Sequence, residues 1–144
     1  MRRVNMLGEI GRFVATPARS GILLAGLGLL VWIGLSVWAG LSSTGFGFRL
    51  REAWDTPAYF YAGLPLMAAA VTAAAFFRPE RAWRWPLCLV AGHQLGVVLI
   101  GLGMQSDLSL FILTLILSIM LAAFFAIPAM LGSLAARRLG VRVY

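Results

Sequence analysis

Four long apolar runs divide the chain, and most of its polar side chains fall between them. The runs cover about 20–41, 57–77, 85–104 and 108–134. A helix needs about 20 apolar residues to cross a hydrocarbon core of about 30 Å. Each run meets that length, and the sequence predicts an all-α integral membrane chain with four transmembrane helices as an antiparallel bundle. The four spans and their short connections use up the chain as a single membrane domain, 1–144. The last run exceeds the core thickness at about 1.5 Å per residue, so it must tilt or bend. Pro128 is the expected bend there, as Pro65 is in the second run, because proline removes a backbone hydrogen bond.

Signals at the ends of the runs agree with these limits. Val4, Leu7, Ile10 and Val14 recur at helical spacing before the first run, with Arg2, Arg3, Glu9 and Arg12 off that stripe. This predicts a short amphipathic helix lying in the membrane interface, ended by Thr16-Pro17. The first run is longer than the ~7–15 apolar residues of a secretory signal peptide, so it reads as a span. Asp55-Thr56-Pro57 reads as a helix start, with a capping side chain followed by proline in the first turn. Trp54, Asp55, Tyr59 and Tyr61 are expected at the outer interface, where aromatic rings settle at headgroup depth. Trp83 and Trp85 should mark the opposite interface.

The third run, WPLCLVAGHQLGVVLIGLGM, carries the strongest polar signal. His93 and Gln94 sit side by side at its centre, flanked by Gly92 and Gly96. The glycines suit close helix contact. Adjacent residues on a helix point about 100° apart, so His93 and Gln94 must face different neighbours. The simplest account is interhelical hydrogen bonding, with Thr72, Thr114, Ser118 or Ser36 as partners; such bonds are worth about 0.6 kcal/mol, and at most about 2. The functional account makes the pair the polar contacts of a haem, quinone, lipid or transported solute. A haem would need a second axial ligand from another residue type or another chain, since His93 is the single histidine.

Charge then orients the chain. All 12 basic residues are arginine, and the net charge is +7. Arg2, Arg3, Arg12 and Arg19 precede the first run; Arg78, Arg81 and Arg84 lie between the second and third; Arg137, Arg138 and Arg142 close the chain. Arg49 and Arg51 alone fall on the other side. Ten against two places both termini in the cytoplasm by the positive-inside rule. Arginines at helix ends do not make a basic nucleic-acid-binding face, so no nucleic-acid partner is expected. The single cysteine, Cys88, excludes an intramolecular disulfide and reads as small apolar filler.

Composition narrows the function classes. The chain is 61% hydrophobic and 12% charged, with a mean hydropathy of +0.91, far from the balance of soluble domains. No carboxylate or arginine falls inside a span, which argues against a proton-coupled small exporter. No phosphate loop, metal-spaced Cys/His pair or credible Ser/His/Asp set is present, so no metal is expected. The reading that follows is a small non-enzymatic polytopic protein of the bacterial inner membrane. It would act as an accessory or assembly subunit of a membrane complex, or as a homo-oligomer, with the lipid bilayer and another membrane protein (or itself) as partners. The alternative is an intramembrane small-molecule site using His93 and Gln94. A lipid-modifying enzyme is the third and weakest reading.

Overall fold

The computed structural model describes residues 17–42, 53–103 and 108–140, and these are almost wholly helical, with no strand among them. Four helices are long and apolar enough to cross a membrane. They are α1 (Pro17–Ser42), α2 (Leu64–Phe77, entered through a π-helical turn at Tyr59–Gly63), α3 (Arg84–Gly103) and α4 (Leu108–Arg138). The expected interfacial helix over 1–16, the loop 43–52 and the turn 104–107 lie outside the described residues.

Local chemistry explains most of the boundaries. Pro17 opens α1, three residues earlier than the apolar run alone suggests, in the position where a missing N–H costs nothing. Arg78 ends α2 outside the helical region (φ −139°, ψ 68°), where the following proline disfavours helical geometry. A short 3-10 turn, Pro79–Arg81, then leads into α3. α4 runs through Pro128 and continues beyond the expected stop at 134 to Arg138. Gly140 halts it with φ +63°, and its N–H reaches the Arg137 carbonyl at 3.3 Å.

The start of α2 departs from the simple expectation of one kinked helix. Pro65 lacks an N–H, and its ring would collide with the carbonyl four residues back, that of Tyr61. The chain answers by widening the turn that precedes it. The Leu64 N–H bonds the Tyr59 carbonyl, five residues back rather than four. The helix is re-phased by the wide turn, with ordinary α geometry resuming at Leu64.

Packing follows small and polar residues rather than large apolar ones. On α1 the buried positions Ser20, Leu24, Gly28, Trp32, Ser36 and Gly40 recur every four residues. Ile22, Leu23, Leu30, Trp38 and Leu41 point outward. α1 meets α3 along this stripe. A Cβ on Gly92 would overlap the Ala25 carbonyl, and one on Gly28 would overlap the Leu89 carbonyl. Trp32 lies over Gly96, where an added Cβ would stand 2.9 Å from the indole Cδ1. Gly21 faces Cys88 in the same way, at 3.2 Å from its sulfur. These contacts advance in the same sense along both helices, so α1 and α3 run side by side in one direction. α2 and α4 form the second close pair, where Gly132 lies against the Thr72 carbonyl.

Candidate functional site

The glycine contact between α1 and α3 determines where His93 goes. With Gly92 pressed on Ala25 and Gly96 under Trp32, the intervening His93 side chain is held at the α1 face and fully buried. Trp32 meets its ring edge-on, with centroids 4.7 Å apart. A 3-10 turn, Ala53–Asp55, carries Trp54 onto the same group, 4.6 Å from Trp32 and 6.2 Å from His93. Tyr59 completes it, and its hydroxyl shares a 2.9 Å hydrogen bond with His93 Nε2.

The Tyr59 contact adds to the sequence expectation, which placed Tyr59 and Tyr61 together at the outer end of the second run and did not say which way each ring turns. Tyr61 is 84% exposed, whereas Tyr59 is only 3% exposed and turned inward. The physical reason lies in the phase of the helix. Tyr59, Gly63, Met67, Val71 and Ala75 are all buried, a stride of four that carries Tyr59 onto the inward face. That stride is the sequence signal that identifies Tyr59 as a core residue. Trp54 is half-buried and Asp55 exposed. Thr56, rather than Asp55, anchors the start of the helix: its hydroxyl donates to the Ala53 carbonyl at 2.6 Å.

Gln94 faces the other way, toward α4. Its amide N–H donates to Thr114 Oγ1 at 3.4 Å, and the Ser118 hydroxyl donates to its Oε1. Both partners were among those expected from the sequence. Thr72 turns back on its own helix and donates to the Ala68 carbonyl at 2.8 Å. Ser36 forms no bond to His93. Of the four packing residues, Gly92 and Gly96 lie in the α1 contact. Pro65 follows the π turn, and Pro128 lies within α4.

The accounting of polar atoms sets the two flanks apart. Among the described residues, three buried side-chain polar atoms have no hydrogen-bond partner: Trp32 Nε1, Ser36 Oγ and His93 Nδ1. Two of them belong to α1 and one to α3. Trp32 and Ser36 are one turn apart on α1, and Trp32 is in ring contact with His93. Sequence reasoning singled out His93 and offered Ser36 as a bonding partner, which it is not, and missed Trp32, whose place on the buried four-residue stride of α1 marks it. No group of three or more His, Cys, Asp or Glu side chains suited to a metal occurs among the described residues. Compared with known proteins, the chain matches no family model, no curated protein and no solved structure.

Proposed function

We propose that this chain is a non-enzymatic, multi-pass protein of the bacterial cytoplasmic (inner) membrane. Its four helices form an antiparallel bundle with both termini cytoplasmic, following the arginine distribution. It serves as an accessory or assembly subunit of a larger membrane complex, or as a homo-oligomer. The observation that carries this reading is the direction of its polar groups. His93 bonds Tyr59, and Gln94 bonds Thr114 and Ser118, all within the chain. The outward faces instead present large apolar side chains such as Leu30, Ile119, Met120, Ile127 and Met130. Such a surface works by lateral contact with lipid or with another apolar helix.

A photo-crosslinking residue at Ile119 or Met130, irradiated in native membranes, tests this reading. An adduct of defined larger mass identifies a partner subunit or a second copy. Adducts with lipid alone at both positions defeat it. Orientation is tested separately on a Cys88→Ser background. Glu80→Cys should react with an impermeant maleimide from the cytoplasmic side only.

A second reading, favoured by the unpartnered atoms around His93, is a small-molecule site. Haem, quinone, lipid or a transported solute would be held there with His93 as the polar contact. Gln94, already bonded to two α4 hydroxyls, is a structural residue in this reading. His93→Ala should then abolish ligand retention, whereas under the first reading it costs only modest stability.

A further inference from the structure

Arginine collects at one end of the folded chain, and the fold ties its carriers together there. Arg78, Arg81 and Arg84 lie in and around the turn between α2 and α3, and Arg137 and Arg138 close α4. The end of α4 is fixed to that turn, because the Ser133 hydroxyl donates to the Pro79 carbonyl at 3.2 Å. Trp85 braces the turn from α3, its indole N–H reaching the Arg78 carbonyl at 3.4 Å. Glu80 is the single carboxylate among the described residues at this end. Among the described residues, none of the five arginines is in an ion pair. No arginine occurs between Arg84 and Arg137, so the opposite ends of α3 and α4 carry none.

The side chains next to these arginines select the partner. On α3, Arg84, Leu87, Ala91 and Leu95 recur at helical spacing and are all exposed. On α4, Ile127, Leu131, Leu134 and Arg138 do the same. Each row is apolar along its length and cationic at one end. Each extends about 16 Å, at about 1.5 Å per residue. One leaflet of hydrocarbon, half of a core of about 30 Å, is about 15 Å deep. An acyl chain below an anionic head therefore matches each row in both order and length. A soluble acidic protein would match the arginines alone. Trp83 marks the boundary between the two media: it is 64% exposed, with the Arg84 guanidinium carbon over its ring at 5.8 Å. An arginine over a ring still has N–H donors for a phosphate.

We propose that this end of the bundle is a docking surface for anionic phospholipid. Arg84 takes the phosphate of one lipid and Arg138 that of another. Their acyl chains lie along the Leu87–Leu95 and Ile127–Leu134 rows. The proposal rests on the membrane-spanning reading of the four helices, and not on the accessory or oligomeric role.

The test uses the full chain in nanodiscs of phosphatidylglycerol and phosphatidylcholine in equal parts, with the same acyl chains. Native mass spectrometry counts the lipids that stay with the protein as the disc is stripped away. Phosphatidylglycerol should be retained in preference to phosphatidylcholine. The double variant Arg84→Gln/Arg138→Gln should lower that preference about fivefold, whereas Arg84→Lys/Arg138→Lys, which keeps the charge, should hold most of it. Both positions are exposed, so these changes leave the buried core intact. Arg49→Gln/Arg51→Gln, between the first and second runs, should leave the preference unchanged. The proposal is overturned if the wild type retains the two lipids equally, if Arg84→Gln/Arg138→Gln keeps the preference, or if Arg49→Gln/Arg51→Gln loses as much. Capture of added polyglutamate without any lipid preference also overturns it and assigns the surface to an acidic protein. A chain that never enters the discs defeats the membrane-spanning reading and the proposal together, whereas one that enters without a preference defeats the proposal alone.

Discussion

His93 and Gln94 are neighbours on one helix at one depth, yet their two flanks are built on opposite principles. The Gln94 flank is closed: the amide meets two hydroxyls of α4, and both its donor and its acceptor are used. The His93 flank is tight in backbone and open in polarity. Its helices touch through Gly92 and Gly28, while Trp32 Nε1 and Ser36 Oγ of α1 and Nδ1 of His93 itself lack partners. Backbone proximity and polar satisfaction are therefore separate design variables in this fold. A closed flank is what helix adhesion alone requires. A close-packed flank that leaves donors unused has a demand that adhesion does not meet.

The largest expected effect breaks the tight flank. Gly92→Ala puts a methyl group into the Ala25 carbonyl, and neither backbone can yield without separating α1 from α3. We expect a loss of about 3 kcal/mol or more, at the upper end of overpacking penalties. The readout is thermal loss of monodisperse protein in mild detergent. Gly132→Ala, against the Thr72 carbonyl in the α2/α4 pair, should follow with about 1–3 kcal/mol. If Gly92→Ala is as stable as the wild type, the α1/α3 contact is not the tight one.

Smaller changes sharpen the contrast between flanks. Gln94→Leu removes the bonds to Thr114 and Ser118, whose hydroxyls can turn back to carbonyls of their own helix. Its cost should be about 0.6–2 kcal/mol. Tyr59→Phe removes the one partner of His93 and should cost about 1 kcal/mol. Because these two sites lie on opposite sides of α3, the double variant should be additive within about 0.5 kcal/mol. Non-additivity would show the flanks to be one network.

The smallest expected effect also has the most informative sign. Without ligand, Ser36→Ala removes a buried hydroxyl that has no partner. It should be neutral or slightly stabilising, whereas Ser118→Ala should destabilise by about 0.6 kcal/mol. Equal losses at the two serines would erase the distinction drawn between the flanks.

Much of this organisation is legible in the sequence, for reasons specific to membranes. The runs that become α1 to α4 stand out because hydrocarbon excludes nearly every charged side chain. The Gly92/Gly96 contact and the Gln94 partners could be anticipated because small and polar residues mark helix contacts where both faces are apolar. The α1 stripe of Ser20, Gly28, Trp32 and Ser36 obeys the same rule. It escapes a search for hydrophobic periodicity, since the outward Ile22, Leu23 and Leu30 are the more apolar set. The inward turn of Tyr59 was not legible, because an aromatic near a helix end looks the same in sequence whether its ring meets lipid or the core. The tie between Tyr59 and His93 spans 34 positions and depends on a turn whose width the sequence signals only through Pro65.

The wide turn at Tyr59–Gly63 has a consequence for how this protein can change length. A π turn is an α-helix with one residue inserted. Ordinarily a single insertion in a membrane helix rotates everything beyond it by about 100° and scrambles its contacts. Here the surplus residue is already accommodated. Deleting Ala62 and replacing Pro65 with Ala would let the Leu64 N–H reach Tyr59 through a regular turn, with Tyr59 still over His93. The second span thus contains a splice point where length can vary by one residue while the register of both halves is kept.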